Sequence, residues 1–368
     1  MNRREFLTSG MAVSAAGFVP SAFGASDARI WYGARLDGNG QARASGFDAD
    51  GRLRFDVALP ARAHGAGYSA ARGELVVASR RPGDFMLIVD VRTGRVKYRI
   101  AAAPERFFNG HAVFARGVLY ATETVVADAP PESGNGVIGV YDAQAGFERV
   151  AEFASGGHDP HQLLALGDEL VVANGGLLAH PDAPGVKLNI DTMDSSVARI
   201  DSCDGRIVSQ HRLAPELHRV GMRHLAAARD GTVAVVAQYE GPIGDEVPLA
   251  ALLRPGRELE LFELPGQARL KNYVGSVAFD AGGRMLGLAS PRGGVAMFHD
   301  LDADVTLGLI QVPDGCGIAA TRKPGEFVVS SGLGGVHRWS AGESSRLTGA
   351  TELDDSRWDN HLLELDAV

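Results

Sequence analysis

The sequence predicts an all-β fold, a seven-bladed β-propeller, on three observations. Short apolar runs of one texture recur at intervals of about forty to sixty residues, Gly-rich turns separate strands within each interval, and the two chain ends supply complementary parts of one last unit.

The recurring runs are Glu74-Leu-Val-Val-Ala-Ser, Val118-Leu-Tyr-Ala-Thr, Glu169-Leu-Val-Val-Ala-Asn, Thr232-Val-Ala-Val-Val-Ala-Gln, Arg284-Met-Leu-Gly-Leu-Ala-Ser and Glu326-Phe-Val-Val-Ser-Ser. Each is apolar and largely β-branched, as a strand buried on both faces must be. Turns containing Gly73, Gly167, Gly231, Gly283 and Gly325 precede most of them, and before each turn lies another short strand. A third strand follows, as in Leu87-Ile-Val-Asp and Val137-Ile-Gly-Val-Tyr-Asp, and then a fourth, as in Val96-Lys-Tyr-Arg-Ile and Leu259-Glu-Leu-Phe-Glu-Leu. Four antiparallel strands make a propeller blade. Full blades begin near His64, His111, His161, His224, Ser276 and Cys316. The segment Ala28 to Pro60 supplies three strands of a seventh blade, and His361-Leu-Leu-Glu-Leu supplies its missing innermost strand. The chain ends therefore close the ring together, which removes exposed strand edges. Few helical stretches compete, and Pro248 to Leu253 is the foremost short one.

Residues 1–26 read as an export signal and 27–368 as the propeller. Arg3-Arg4-Glu5-Phe6-Leu7, a modest apolar stretch from Gly10 to Val19, and small residues around Ala22 to Ala25 have the pattern of a twin-arginine (Tat) signal peptide, cleaved between Gly24 and Asp27. That pattern predicts a periplasmic protein with no membrane span after cleavage. With a formal charge of −9 and no run of Lys and Arg, nucleic acid is not an expected partner. The two cysteines, Cys203 and Cys316, fall on opposite faces of the ring and should not pair.

The chemistry lies in what the repeat brings together. In a propeller the first strand of each blade lines the central channel, and His64, His111, His161, His224, His361 and Cys316 each stand at the start of such a strand. Neutral imidazole suits transition metals, and a nearby thiolate favours copper or zinc. Carboxylates are sparse at these positions, which disfavours Ca²⁺ or Mg²⁺. More imidazoles than a structural zinc needs suggest two ions or an open-sided site, and copper or iron is expected ahead of zinc. Counting back from the second strands gives eight residues to His161 and His224, seven to His111, and ten to His64 and Cys316. Since side chains alternate with period two, His111, His161, His224 and His361 form the expected core, with His64 and Cys316 one strand period farther out. The fifth blade carries Ser276 instead, with Asn272 and Tyr273 upstream, and His158 is a further ligand or an orienting neighbour of His161. Polar residues at the ends of second strands share this face: Arg80, Arg81, Glu123, Asn174, Gln238, Tyr239 and Glu240. Three long loops rise beside them, 125–136, 175–196 and 241–256, the second carrying His180, Asp182, Asp191 and Asp194.

Phe107-Phe-Asn-Gly-His, His158-Asp-Pro-His-Gln, Trp358-Asp-Asn-His and the twin-arginine start resemble a bacterial family known as domain of unknown function 1513, over essentially the whole chain after the signal. The resemblance implies a propeller found in iron-associated gene neighbourhoods and a role in periplasmic metal acquisition or handling, with another metal-handling protein as a partner. It carries over no catalytic residue. Haem-attachment, nucleophile-elbow and phosphate-loop motifs do not occur. The expected function is transition-metal binding at the channel mouth. The alternatives are a metal-dependent redox enzyme and a protein-interaction scaffold built on the long loops.

Overall fold

The computed structural model describes residues 29–126, 134–178, 180, 186–349 and 351–365. The expected export signal and Asp182 lie outside them. Seven four-stranded antiparallel sheets form a seven-bladed β-propeller. The first blade comprises Ala63–Ser69, Glu74–Ser79, Phe85–Asp90 and Arg95–Ala101. The next five begin with Arg106–Ala115, Pro160–Leu166, Val220–Ala227, Ser276–Phe279 and Gly315–Ala320, matching the six expected starts.

The seventh blade is the seam. Its strands run Arg357–Leu365, Ile30–Leu36, Ala42–Phe47 and Leu53–Ala58 from the axis outward, so the C-terminal strand is innermost and the other three come from the N-terminal part. Trp31 pairs with Glu364, and Arg35 with Trp358.

Alternation along the buried strands builds the core between blades. Leu75 and Val77 face the seam blade, in a cluster with Tyr32, Ala34 and Phe55. Val76 and Ala78 face the second blade, with Leu119 and Ala121. All four are fully buried, which is why this strand reads as an unbroken apolar run. The seam blade shows the same division. Tyr32 points to the first blade, while Trp31, Phe47 and Trp358 pack with Val328 and Val336 of the sixth. Gly33 makes room for this: a Cβ there would come within 2.6 Å of the Trp358 ring.

The expected helix over Pro248 to Leu253 is instead a strand, Ala250–Leu253, the third of the fourth blade. Its four residues are all buried and pair with Val233–Val236, so sheet position overrides the helix-forming character of Ala and Leu. A single helical turn, Thr351–Asp354, and three short 3-10 turns are the helical elements among the described residues.

Trp358 joins the seam to the sixth-blade core, so Trp358→Ala should lower unfolding free energy by about 3–5 kcal/mol. Urea denaturation checks this; a loss below about 1 kcal/mol would mean that the closing strand is not held by that ring.

Candidate metal centre

The imidazoles reach the axis through breaks in strand register. In the first blade Ala63 faces Ser79 and Ala66 faces Val77, so His64 and Gly65 stand opposite the single residue Ala78. His161 and Gln162 stand opposite Ala173 in the same way, and Cys316 and Gly317 opposite Ser330. In the fourth blade Arg223 is the extra residue, inserted between Met222 and His224. The second and seventh blades carry longer bulges: Asn109-Gly-His111 opposite Thr122, and Asp359-Asn-His361 opposite Ala34. The fifth blade, which has neither His nor Cys at this place, pairs without a break from Ser276 to Phe279. A β-bulge bends its strand and re-aims a side chain, and here the bulges mark the six blades carrying a candidate ligand.

The result is a closed cycle of five imidazoles. Ring centroids lie 4.6 Å apart for His361 and His64, 5.0 Å for His64 and His111, and 5.0 Å for His111 and His161. The cycle completes with 4.8 Å from His161 to His224 and 4.7 Å from His224 to His361. It is puckered rather than flat, since His111 also lies 4.7 Å from His361. Glycine permits this density: a Cβ at Gly65 would come within 2.5 Å of His111 Nδ1, and Gly110, at φ 93°, abuts His64.

Two triads could each hold an ion. One is His64, His111 and His361, the other His111, His161 and His224; within each, the offered nitrogens lie within 4.8 Å of one another. A tetrahedral ion bound at about 2.0–2.1 Å needs nitrogens about 3.3 Å apart, so modest ring rotation closes either triad. His64 Nε2, His111 Nε2, His161 Nδ1, both nitrogens of His224, and His361 Nε2 are buried and make no hydrogen bond within the protein.

Burial, and then mutual repulsion, holds His111, His161 and His224 well below the ordinary imidazole pKa; for His361, too, burial and His64 outweigh the pull of Asp359. The rings are therefore neutral, the form that binds metal. His64 is lowered by burial despite its partner Asp359, whose Oδ1 lies 2.7 Å from His64 Nδ1. An ionised carboxylate only accepts, so Nδ1 carries the proton and Nε2 presents its lone pair inward. Asp359 is anchored by Arg62 at 2.7 Å and Arg80 at 2.8 Å. Burial alone would raise its pKa, but His64 and the two guanidiniums hold it far below the usual carboxylate range.

His64, expected at the periphery, thus packs against all four other rings. Counting back from the second strand misplaced it because the turn between Ser69 and Glu74 is two residues longer than that between Leu166 and Glu169, while strand pairing puts His64 level with His161. Cys316 belongs to neither triad. Its thiol donates to the Asp314 carbonyl at 3.0 Å, and burial, with Asp314 and Asp359 nearby, pushes its pKa well up. Both cysteines are free, Cys203 exposed and Cys316 buried. His158 turns away to Asn135 at 2.9 Å, and Ser276 Oγ accepts from Ile318 N at 3.3 Å.

Above the rings opens a cavity of about 330 Å³ whose walls include Arg80, Arg81, Gln238, Glu240, His180 and Tyr273. Glu123 and Asn174 are not part of it: Glu123 accepts from Tyr141 and Arg149, and Asn174 donates to Ser155 O and Ser196 Oγ. Asp191 and Asp194 pair outward with Arg219 and Arg212. Sequence reasoning gave no role to Asp359, although it lies in the same motif as His361, nor to Asp159, which binds Arg81 and, at 3.0 Å, Arg223.

Residues 57–365 match the model of a family described as a protein of unknown function, DUF1513. No functionally curated protein matches. Among solved structures the chain is similar to hydrazine synthase of Kuenenia stuttgartiensis, with a TM-score of 0.61 and 14% identity over 86% of this chain and 96% of that one. It is also similar to a chain of the mitotic checkpoint complex, with a TM-score of 0.57 and 12% identity over 79% of this chain and 78% of that one. At such identities the likeness is one of fold alone.

Asp359→Asn should destabilise the metal-free protein by about 3 kcal/mol at pH 7, because Arg62, Arg80 and His64 lose a buried charged partner. A depressed carboxyl pKa contributes stability above the unfolded value of about 3.9 and loses it as pH falls further, so the gap between wild type and variant should narrow below about pH 4. Urea titrations at several pH values check both; a gap independent of pH would place the Asp359 charge outside the stability of the fold.

Proposed function

The chain belongs to the DUF1513 family, and from that premise we propose that it is a transition-metal-binding propeller whose five axial histidines hold one or two ions. The observation that carries this reading is the cycle of neutral imidazoles, four buried and His361 partly so, with buried ring nitrogens that have no partner within the protein. A hydrogen-bonded histidine network would pair donors with acceptors, whereas here Asp359, the carboxylate bonded to the cycle among the described residues, sits outside it and orients His64. All-nitrogen donors in excess of four suit copper or iron better than a closed tetrahedral zinc site. Acquisition or handling of such an ion follows from a site placed under an open mouth. Export by the twin-arginine segment would put it, already folded, in the periplasm.

A second reading, docking of a partner on the mouth loops, is favoured by Val186, Leu188 and Ile243, which are exposed on two of those loops. A metal-handling protein is the partner that would unite the two readings.

Purified protein reconstituted with Cu(II) or, without oxygen, with Fe(II) should retain about one or two equivalents by elemental analysis. Replacing His111, His161 and His224 by Ala together should bring this below about a tenth of an equivalent, while Cys316→Ser should leave it unchanged. Wild-type protein that holds less than a tenth of an equivalent would overturn the proposal.

A further inference from the structure

The cavity above the imidazoles carries a charge pattern that a bare cation site would not have. Among the described residues, five cationic side chains line it, Arg80, Arg81, Lys187, Arg223 and Arg292, against the single carboxylate of Glu240. The chain as a whole carries −9, so this positive charge is a local concentration. Part of it is compensated from the side. Asp359 holds Arg80, Asp159 holds Arg81 and Arg223, and Glu240 holds Lys187 while lying 3.7 Å from Arg223. Arg292 pairs with no carboxylate among the described residues and lies over the Tyr273 ring at 5.1 Å. Arg223 is 3% exposed, yet its Nε makes no hydrogen bond within the protein. Burial, with Arg223 and Arg80 beside it, pulls Arg81 down to about 9, a sign of how crowded the positive charge is.

From this geometry we infer that the mouth is a binding site for a small, multiply charged oxyanion, such as a polycarboxylate or phosphate, seated on Arg81, Arg223 and Arg292 directly above the histidine cycle. The volume, about 330 Å³, lies at the small end of ligand pockets, and planar guanidiniums match carboxylate and phosphate oxygens in pairs. His64, His161 and His224 line the same cavity, so an anion held there lies within reach of an ion on the rings. Resting on the metal reading in this respect only, the anion would complete the coordination of a histidine-bound ion with oxygen. It also resolves an electrostatic conflict. A free divalent cation is repelled by this rim, whereas an anionic metal chelate is attracted to it.

Calorimetric titration of metal-stripped protein at low salt, with citrate in one arm and inorganic phosphate in the other, tests the site independently of the metal. At least one should bind with a Kd below about 1 mM, and the stronger identifies the oxyanion class. Arg292→Gln, at an exposed position, and Arg81→Gln should each weaken binding about tenfold or more, the loss expected for one charge-assisted hydrogen bond. Unchanged thermal unfolding of Arg292→Gln would show that its fold is intact. Absence of binding by both anions up to 10 mM, about tenfold above the expected Kd, or binding that neither substitution weakens, would overturn the inference. Anion binding by a protein that takes up no metal would leave this site standing and remove the metal reading alone.

Discussion

Everything at the axis depends on the pairing of the C-terminal strand Arg357–Leu365 with Ile30–Leu36. That pairing closes the ring, and the same strand delivers Trp358 to the sixth-blade core, Asp359 to His64, and His361 to the imidazole cycle. Closing the fold and completing the site are therefore one event. Before closure, four imidazoles would surround an incomplete channel and His64 would lack the carboxylate that sets its tautomer. After closure, Arg357–Leu365 covers the edge that Ile30–Leu36 would otherwise expose, and the seventh blade has its four strands.

Desolvation governs the chemistry inside that closed ring. Five rings at separations of 4.6–5.0 Å around the cycle cannot all carry charge, and burial leaves them neutral. Neutral imidazoles keep their lone pairs, so the burial that costs the cluster its solvation also leaves those lone pairs open to a cation. Positive charge is displaced to the rim, where Asp159, Asp359 and Glu240 balance only part of it. The axis thus presents two layers of opposite preference: lone pairs for a cation below, guanidiniums for an anion above.

Much of this was legible in the sequence, for physical reasons. Strands such as Leu75 to Ala78 are buried on both faces and so read as apolar runs, and the split seventh blade followed from an innermost strand with no partner at one end of the chain and three strands lacking one at the other. Convergence of the histidines followed from topology. Their fine placement did not, because counting back from the second strand absorbs the length of the turn. Four residues between Ser69 and Glu74, against two between Leu166 and Glu169, set His64 two residues out, whereas pairing puts it level with His161 and in contact with every other ring. Cys316 shares the bulge yet stands apart, which register alone cannot reveal. The basic rim was hidden for another reason. Beyond Arg80 and Arg81, its members Lys187, Arg223 and Arg292 are far apart in the chain, so no run of basic residues announces them, and only the closed ring brings them to one mouth.

In the metal reading proposed above, imidazole nitrogens, and not the buried thiol, hold an ion at the axis. X-ray absorption at the K-edge of the copper- or iron-loaded protein tests it most directly. The loaded protein should show nitrogen or oxygen neighbours at about 2.0–2.1 Å with the outer-shell scattering of at least three imidazoles, and no sulfur. A metal–sulfur distance near 2.3 Å, or a shell of oxygen without imidazole, would contradict it.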